Sequence, residues 1–242
     1  LVYVVTQARG AEHVFSETPE RDLLLARYRS YLATELRGRP SSVNAAFTAL
    51  ASFYKFLGQK SSSIQREKER IVNRGHISKL SEQRLLEALS GEKKARNRAL
   101  VFLLLRSGIK STECVRLRTS DIQFEKRILI VESKHRVRRI PLAEDALLAL
   151  YQWIKERSKK FKGAQTQTLF LNPQGKMLST SALDLIVRGV GSRTNMKLSA
   201  KTLRHTYLKS CLEKGINEEK LADLAGFSRI DVAKRYREAL QR

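Results

Sequence analysis

Lys201-Thr202-Leu203-Arg204-His205-Thr206-Tyr207, followed by Ala225-Gly226-Phe227 and then by Tyr236, is the stretch on which the reading of this chain turns. Each piece alone says little: a lone Arg is ordinarily solvated on a helix surface, and a lone Tyr ordinarily lies amphipathically at one. Their order gives them weight. Lys201 stands one helical turn before Arg204, so both side chains can face the same anion. A Gly-aromatic pair follows about twenty residues on, and Tyr236 sits within Lys234-Arg235-Tyr236-Arg237, a setting that would be strange for a buried core Tyr.

Outward from that stretch, the chain has 242 residues, 42% of them hydrophobic, enough for one good-sized core or two modest ones and too apolar for a disordered protein. Lys and Arg number 47 against 24 Asp and Glu, a formal charge of +23. Such a charge repels itself unless a polyanion neutralises it, and nucleic acid is the commonest one for a basic domain. A membrane partner would need an amphipathic basic helix, a lipidation motif or a span, and no apolar run approaches 18 residues. The longest candidate, Ala99 to Leu105, stops at Arg106 and reads as a buried core helix. Leu1 to Arg9 lacks the basic start and cleavage site of a signal peptide, and the absence of an initiator Met leaves open that the numbering begins inside a longer protein. Cys114 and Cys211 are too few and too far apart for a metal site or disulfide scaffold, and they read as small core residues. The four His form no ligand pair, so no metal is expected; no Gly-rich phosphate loop is present, so no ATP is expected either. A reducing, cytoplasmic and DNA-associated location fits best.

Along the chain, Thr18-Pro19-Glu20 opens a helix with Leu24, Tyr28, Tyr31 and Leu32 on its apolar face, ended by Gly38-Arg39-Pro40. Ser41 or Ser42 caps a second, carrying Val43, Ala46, Phe47, Leu50, Phe53, Tyr54 and Leu57 and closed by Gly58. From Gln59 to Gly75 the composition turns polar and charged, as in a linker. Beyond Ser78 the pattern is mostly helical, with helices expected over 143–155, 181–188, 201–214, 218–224 and 229–239. Arg127 to Val131 and Val137 to Pro141 form a β-hairpin with a basic turn, and Thr168 to Leu171 is a further short strand candidate.

The Lys-x-x-Arg-His-Thr run, the Gly-aromatic dipeptide and Tyr236 together resemble the C-terminal signature of the tyrosine recombinases, phage-integrase-type enzymes that cut and rejoin DNA through a phosphotyrosine. Ser107-Gly108-Ile109-Lys110-Ser111-Thr112-Glu113 resembles that family's Gly-Leu-Arg-x-x-Glu segment. The resemblance runs from about Pro19 to Tyr236 and is strongest after Leu100. It implies a mainly α fold with a small antiparallel sheet: a helical core-binding domain over 1–60, a linker over 61–76 and a catalytic domain over 77–242, closing like a clamp around a DNA duplex. It further implies a homodimer on one specific site and a homotetramer in the synaptic complex.

Displacement at a phosphodiester calls for cationic donors to the phosphate oxygens, an in-line nucleophile and an acid for the leaving oxygen. Arg204 matches the first role, since its planar fork binds two oxygens and keeps its charge. The resemblance makes Tyr236 the nucleophile and Lys201 a second donor, where the family usually has His. It gives the first catalytic Arg position to Lys110, which keeps the charge and loses the bidentate geometry. Glu113 would orient that cation, against the plainer reading of an i, i+3 helix pair. Lys134, in the hairpin turn, would protonate the leaving 5′ oxygen; the rival reading is nonspecific phosphate contact by Lys134 with His135, Arg136, Arg138 and Arg139. Phe227 replaces the family's His or Trp and has no ring N–H, so it reads as a buttress. Tyr207 and Trp153 read as core.

The preferred function is therefore a site-specific recombinase or integrase of a virus, plasmid or transposon. A recombinase-derived DNA-binding protein with impaired catalysis is the alternative, resting on Lys110 and Phe227. A basic RNA-binding or ribosomal protein would explain the charge but not the ordered motif. Either DNA reading requires counterion release, so affinity for duplex DNA is expected to fall about 10³-fold or more between about 50 and 200 mM salt. Fluorescence anisotropy across that range checks it, and a flat response would contradict both.

Overall fold

The computed structural model describes residues 19–38, 40–59, 75–133, 136–162 and 166–240. The chain divides into two compact units, Leu1–Val72 and Asn73–Arg242. The segment expected to act as linker falls largely on residues 60–74, which lie outside the described residues.

In the first unit, α1 (Pro19–Thr34) and α2 (Pro40–Phe56) each begin on proline, whose fixed φ suits a first helical position and whose missing N–H costs nothing there. Leu25, Val43, Phe47, Leu50 and Tyr54 pack between them, flanked by Tyr28 and Leu32. Arg21 lies 5.0 Å from the Tyr54 ring centroid and Arg29 4.9 Å from that of Phe47, so the basic face of α1 closes over the aromatic face of α2.

The second unit runs α3 (Lys79–Ser90), α4 (Ala95–Ser107), the single turn α5 (Ser111–Cys114), a 3₁₀ turn (Thr119–Asp121), β1 (Ile122–Gln123), β2 (Ile128–Ser133), β3 (Arg136–Pro141), α6 (Glu144–Lys160), α7 (Thr180–Arg193), α8 (Ala200–Glu213), α9 (Glu218–Ala225) and α10 (Ile230–Leu240). Its sheet is antiparallel in the order β1-β2-β3, with Leu129 opposite Ile140 and Val131 opposite Arg138. The hairpin lies where its β-branched runs put it, while β1 is an addition, too short to leave a pattern. Thr168 to Leu171 is not a strand. It makes two isolated bridges, Arg118 to Thr168 and Leu171 to Met177. Its backbone finds partners elsewhere: the Leu169 N–H donates to the Leu117 carbonyl, and the Leu169 carbonyl accepts from the Trp153 indole at 2.9 Å.

Helix α4 is the centre of this unit. Leu100, Val101, Leu103 and Leu104 are fully buried, with Phe102 and Leu105 close to it, because α6 and α8 both pack on it. Where it emerges, Arg106 reaches Glu82 at 2.7 Å and Asp145 at 2.8 Å, tying α3 and α6 to its last turn. The helix then stops at Gly108, which takes a left-handed conformation (φ 60°) and donates its N–H to the Leu104 carbonyl. Glycine is required twice over here. A Cβ would sit 2.3 Å from Cδ1 of Tyr207 in addition to straining the backbone. Gly108→Ala is thus expected to destabilise the protein by about 3 kcal/mol in urea unfolding, and by only the left-handed penalty of about 1–2 kcal/mol in a Tyr207→Ala background. Additive effects of the two substitutions would contradict the close approach.

Candidate active site

Arg204 lies in the first turns of α8, and Ser199 caps that helix by accepting from the Thr202 N–H at 3.0 Å. The same helical period that carries Leu208 and Cys211 into a core carries Arg204 inward, and the residue is only 9% exposed. One guanidinium nitrogen donates to the Gly108 carbonyl and the other to the Ala225 carbonyl at 2.7 Å. Gly108 caps the end of α4, and Ala225 is the last residue of α9, followed by Gly226 in the left-handed conformation (φ 65°). Both acceptors thus belong to helix C-termini, where carbonyls lack intrahelical partners and partial negative charge collects. Burial pulls the Arg204 pKa down, while Glu113 and Tyr236 oppose that pull. An arginine keeps its charge through such a shift. The site is thereby built around a permanent, partly desolvated cation.

An ion pair supports the same region. Glu113, the last acidic residue of the Lys110-to-Glu113 turn, accepts from both terminal nitrogens of Arg138, at 2.9 and 2.7 Å, and from the Lys110 backbone N–H at 2.8 Å. Arg138 also donates to the Leu224 carbonyl at 3.2 Å. Burial alone would raise the Glu113 carboxyl, but the Arg138 and Lys110 hydrogen bonds outweigh it and hold the pKa below its ordinary value. The sequence reading made Arg138 a DNA contact; at 3% exposure and in a bidentate pair, it is instead a buried strut. Strand parity carried the signal, because Arg138 shares one face of β3 with the buried Ile140. Gly226 allows the approach, since a Cβ there would lie 2.6 Å from an Arg138 nitrogen.

Tyr236 is half-buried on α10. Its ring stacks on Phe227 with centroids 5.6 Å apart and planes 24° apart, and Phe227 in turn lies 5.4 Å from the Arg204 guanidinium carbon. The Tyr236 hydroxyl stands 2.7 Å from Nδ1 of His205. Phe227 therefore packs against both the Arg204 guanidinium and the Tyr236 ring. His205 is the residue for which sequence reasoning found no role. It shares a helix face with Leu208 and Leu212, and its 6% exposure follows from that face.

The remaining candidates spread outward. Lys201 is exposed one turn before Arg204, and Lys110 is exposed at the entry to α5. Arg136 is exposed and bound to Asp223 at 2.6 Å, and Arg139 points to the outer face of β3. Lys134 and His135 lie outside the described residues. Tyr207 packs against Gly108, and burial pushes its phenol pKa up, as suits a core residue. Among the described residues, no group of three or more His, Cys, Asp or Glu could hold a metal, and no helix is long and apolar enough to cross a membrane. Chemically, the arrangement can hold an anion against Arg204 with a phenol hydroxyl alongside.

The phage integrase family model matches residues 77–242. Among curated relatives, the tyrosine recombinase XerC of Pediococcus pentosaceus is 28% identical over 225 residues, which cover 86% of this chain and 74% of the relative. The tyrosine recombinase XerA of Pyrococcus horikoshii is 24% identical over 202 residues, or 81% and 68% of the two chains. Among solved structures, the XerH site-specific recombinase bound to palindromic difH substrate, in a post-cleavage complex, has a TM-score of 0.81 at 17% identity, covering 98% of this chain and 72% of that one. The Tn1549 transposon integrase in complex with transposon right end DNA has a TM-score of 0.73 at 18% identity, covering 90% and 79%. At those identities the likeness is one of fold.

Removing the Glu113 charge would strand Arg138 as an unpaired buried cation, so Glu113→Gln is expected to cost about 3 kcal/mol in urea unfolding. The depressed pKa of Glu113 means that its contribution is present above about 4.5, the ordinary value, and is lost as pH falls through the lower folded value. The parent should therefore lose stability relative to Glu113→Gln as pH drops below about 4.5. A constant difference between the two through that range would contradict the assignment.

Proposed function

The chain belongs to the phage integrase family of tyrosine recombinases, and from that premise we propose that it is an active site-specific DNA recombinase in which Tyr236 is the nucleophile. The observation that carries the reading is the Tyr236 ring stacked on Phe227 beside the buried Arg204 cation. In this mechanism Tyr236 Oη attacks the scissile phosphorus, the bond to the 5′ oxygen breaks, and a 3′-phosphotyrosyl link and a 5′-hydroxyl form. The 5′-hydroxyl of a partner strand then reverses the step, and the covalent link conserves the bond energy. Arg204 and Lys201 donate to the phosphate oxygens, and Lys110 adds charge from the turn that Glu113 anchors to Arg138. Lys134 protonates the leaving oxygen. Arg136 and Arg139, with His135, contact the duplex backbone.

The proposed partner is double-stranded DNA carrying a specific site, bound by a homodimer, with two such dimers meeting in a tetramer. The proposed source is a mobile element or virus, and the proposed location is with DNA in the cytoplasm. A binding protein with impaired catalysis is the second reading. It is favoured by Phe227, which offers no ring N–H, and by Lys110, which cannot make a bidentate contact.

One experiment separates them. A pool of nicked duplexes with randomised sequence is incubated with the protein and a chelator, and DNA that becomes covalently bound is recovered and sequenced. Adducts from the parent and none from Tyr236→Phe, at nearly unchanged DNA affinity, are the expected result. No adduct from the parent would favour the binding protein, and adducts that depend on Tyr207 would mean a different nucleophile. On the recovered duplex, Lys110→Arg is expected to raise the single-turnover cleavage rate about tenfold, because an arginine restores two parallel hydrogen bonds. A slower variant would mean that the pocket is shaped around lysine.

A further inference from the structure

His205 is buried, has no place in the proposed chemistry so far, and presents Nδ1 to the Tyr236 hydroxyl at 2.7 Å, with ring centroids 5.4 Å apart and planes tilted by 35°. A phenol that attacks phosphorus must lose its proton, and Nδ1 of His205 stands within hydrogen-bond distance of it. The Lys201 ammonium donates and does not accept. Phe227 has no titratable atom. Glu113 is bound to Arg138 and to the Lys110 N–H.

We propose that His205 is the proton acceptor of the cleavage step, taking the Tyr236 proton on Nδ1 as Oη bonds to phosphorus and returning it when the partner strand's 5′ oxygen displaces the phenol. The inference rests on Tyr236 being the nucleophile. The proton balance closes: the phenol proton moves to Nδ1, the 5′ oxygen takes a proton from its own acid, and rejoining reverses both transfers. The resting imidazole must then carry its proton on Nε2, leaving Nδ1 to accept. The charge it gains is balanced by the negative charge developing on the phosphate. On its own helix Arg204 is its neighbour in sequence and the cations Lys201 and Lys209 stand four positions to either side, while Glu113 and Arg138 interact with Arg204 from α5 and β3. Such a proton transfer is worth about 10²–10⁴-fold in rate.

The test compares the parent with His205→Asn, whose side-chain amide keeps a hydrogen-bonding atom near the Nδ1 position but takes up no proton. On the duplex recovered by covalent capture, the parent's single-turnover rate is expected to rise with pH through a histidine ionisation. His205→Asn should lose that limb and cleave about a hundredfold more slowly, at unchanged DNA affinity. A parental rate and pH profile in His205→Asn would overturn the assignment and leave a purely structural hydrogen bond. A second measurement needs no DNA. In the ¹⁵N spectrum of the parent, His205 should show an unprotonated Nδ1 and a protonated Nε2. An Nδ1–H tautomer donating to the phenol oxygen would overturn the proposal, even if cleavage itself is confirmed. Failure of the parent to form any adduct would overturn both the nucleophile and its base.

Discussion

A guanidinium taken out of water and held between the ends of two helices organises this protein. Burying a charge is costly unless it is well bonded, and Arg204 meets that condition only because α4 and α9 both terminate against it and offer the Gly108 and Ala225 carbonyls. The requirement spreads outward from there. Each helix must end at or just before a glycine in the left-handed conformation, and in each case a Cβ would collide with a neighbour, Tyr207 at one and Arg138 at the other. The packing of α4 on α6 and α8 fixes where one carbonyl lies, and the contact of Arg138 with the Leu224 carbonyl links β3 to the end of α9 and so to the other.

The aromatic arrangement follows from the same cation. Phe227 packs against both Arg204 and Tyr236, and its flat apolar ring stacks with the phenol. A donor at that position would add a hydrogen bond to an anion; the phenyl ring gives orientation and no hydrogen bond. Polar contact with the phenol then comes from His205. The site therefore divides its work: fixed charge from Arg204, stacking from Phe227 and a hydrogen-bonding imidazole from His205.

Much of this was legible in the residues. The helices from Glu144 onward, the hairpin and the family follow from periodicity, turn chemistry and the spacing of Arg204, Gly226 and Tyr236. What escaped depends on partners far away in sequence. Arg138 looked like one of a cluster of surface cations, and only the parity with Ile140 and the distant Glu113 reveal it as a buried pair. His205 looked like a motif letter, and its meaning comes from a hydroxyl 31 positions on. Thr168 to Leu171 has strand composition but no strand to pair with, so its backbone bonds went to the Trp153 indole and to Leu117. Composition reports what a segment tolerates, whereas pairing is decided by what stands opposite.

The central claim is that Arg204 and Tyr236 address one phosphate. A crystal structure of the protein on its captured duplex, with vanadate bridging the nick, tests it most directly. The account predicts vanadium bonded to Tyr236 Oη, with an equatorial oxygen accepting from Arg204 while the Gly108 and Ala225 carbonyls still hold that guanidinium. Vanadate bound away from Tyr236, or Arg204 contacting only protein, would contradict it.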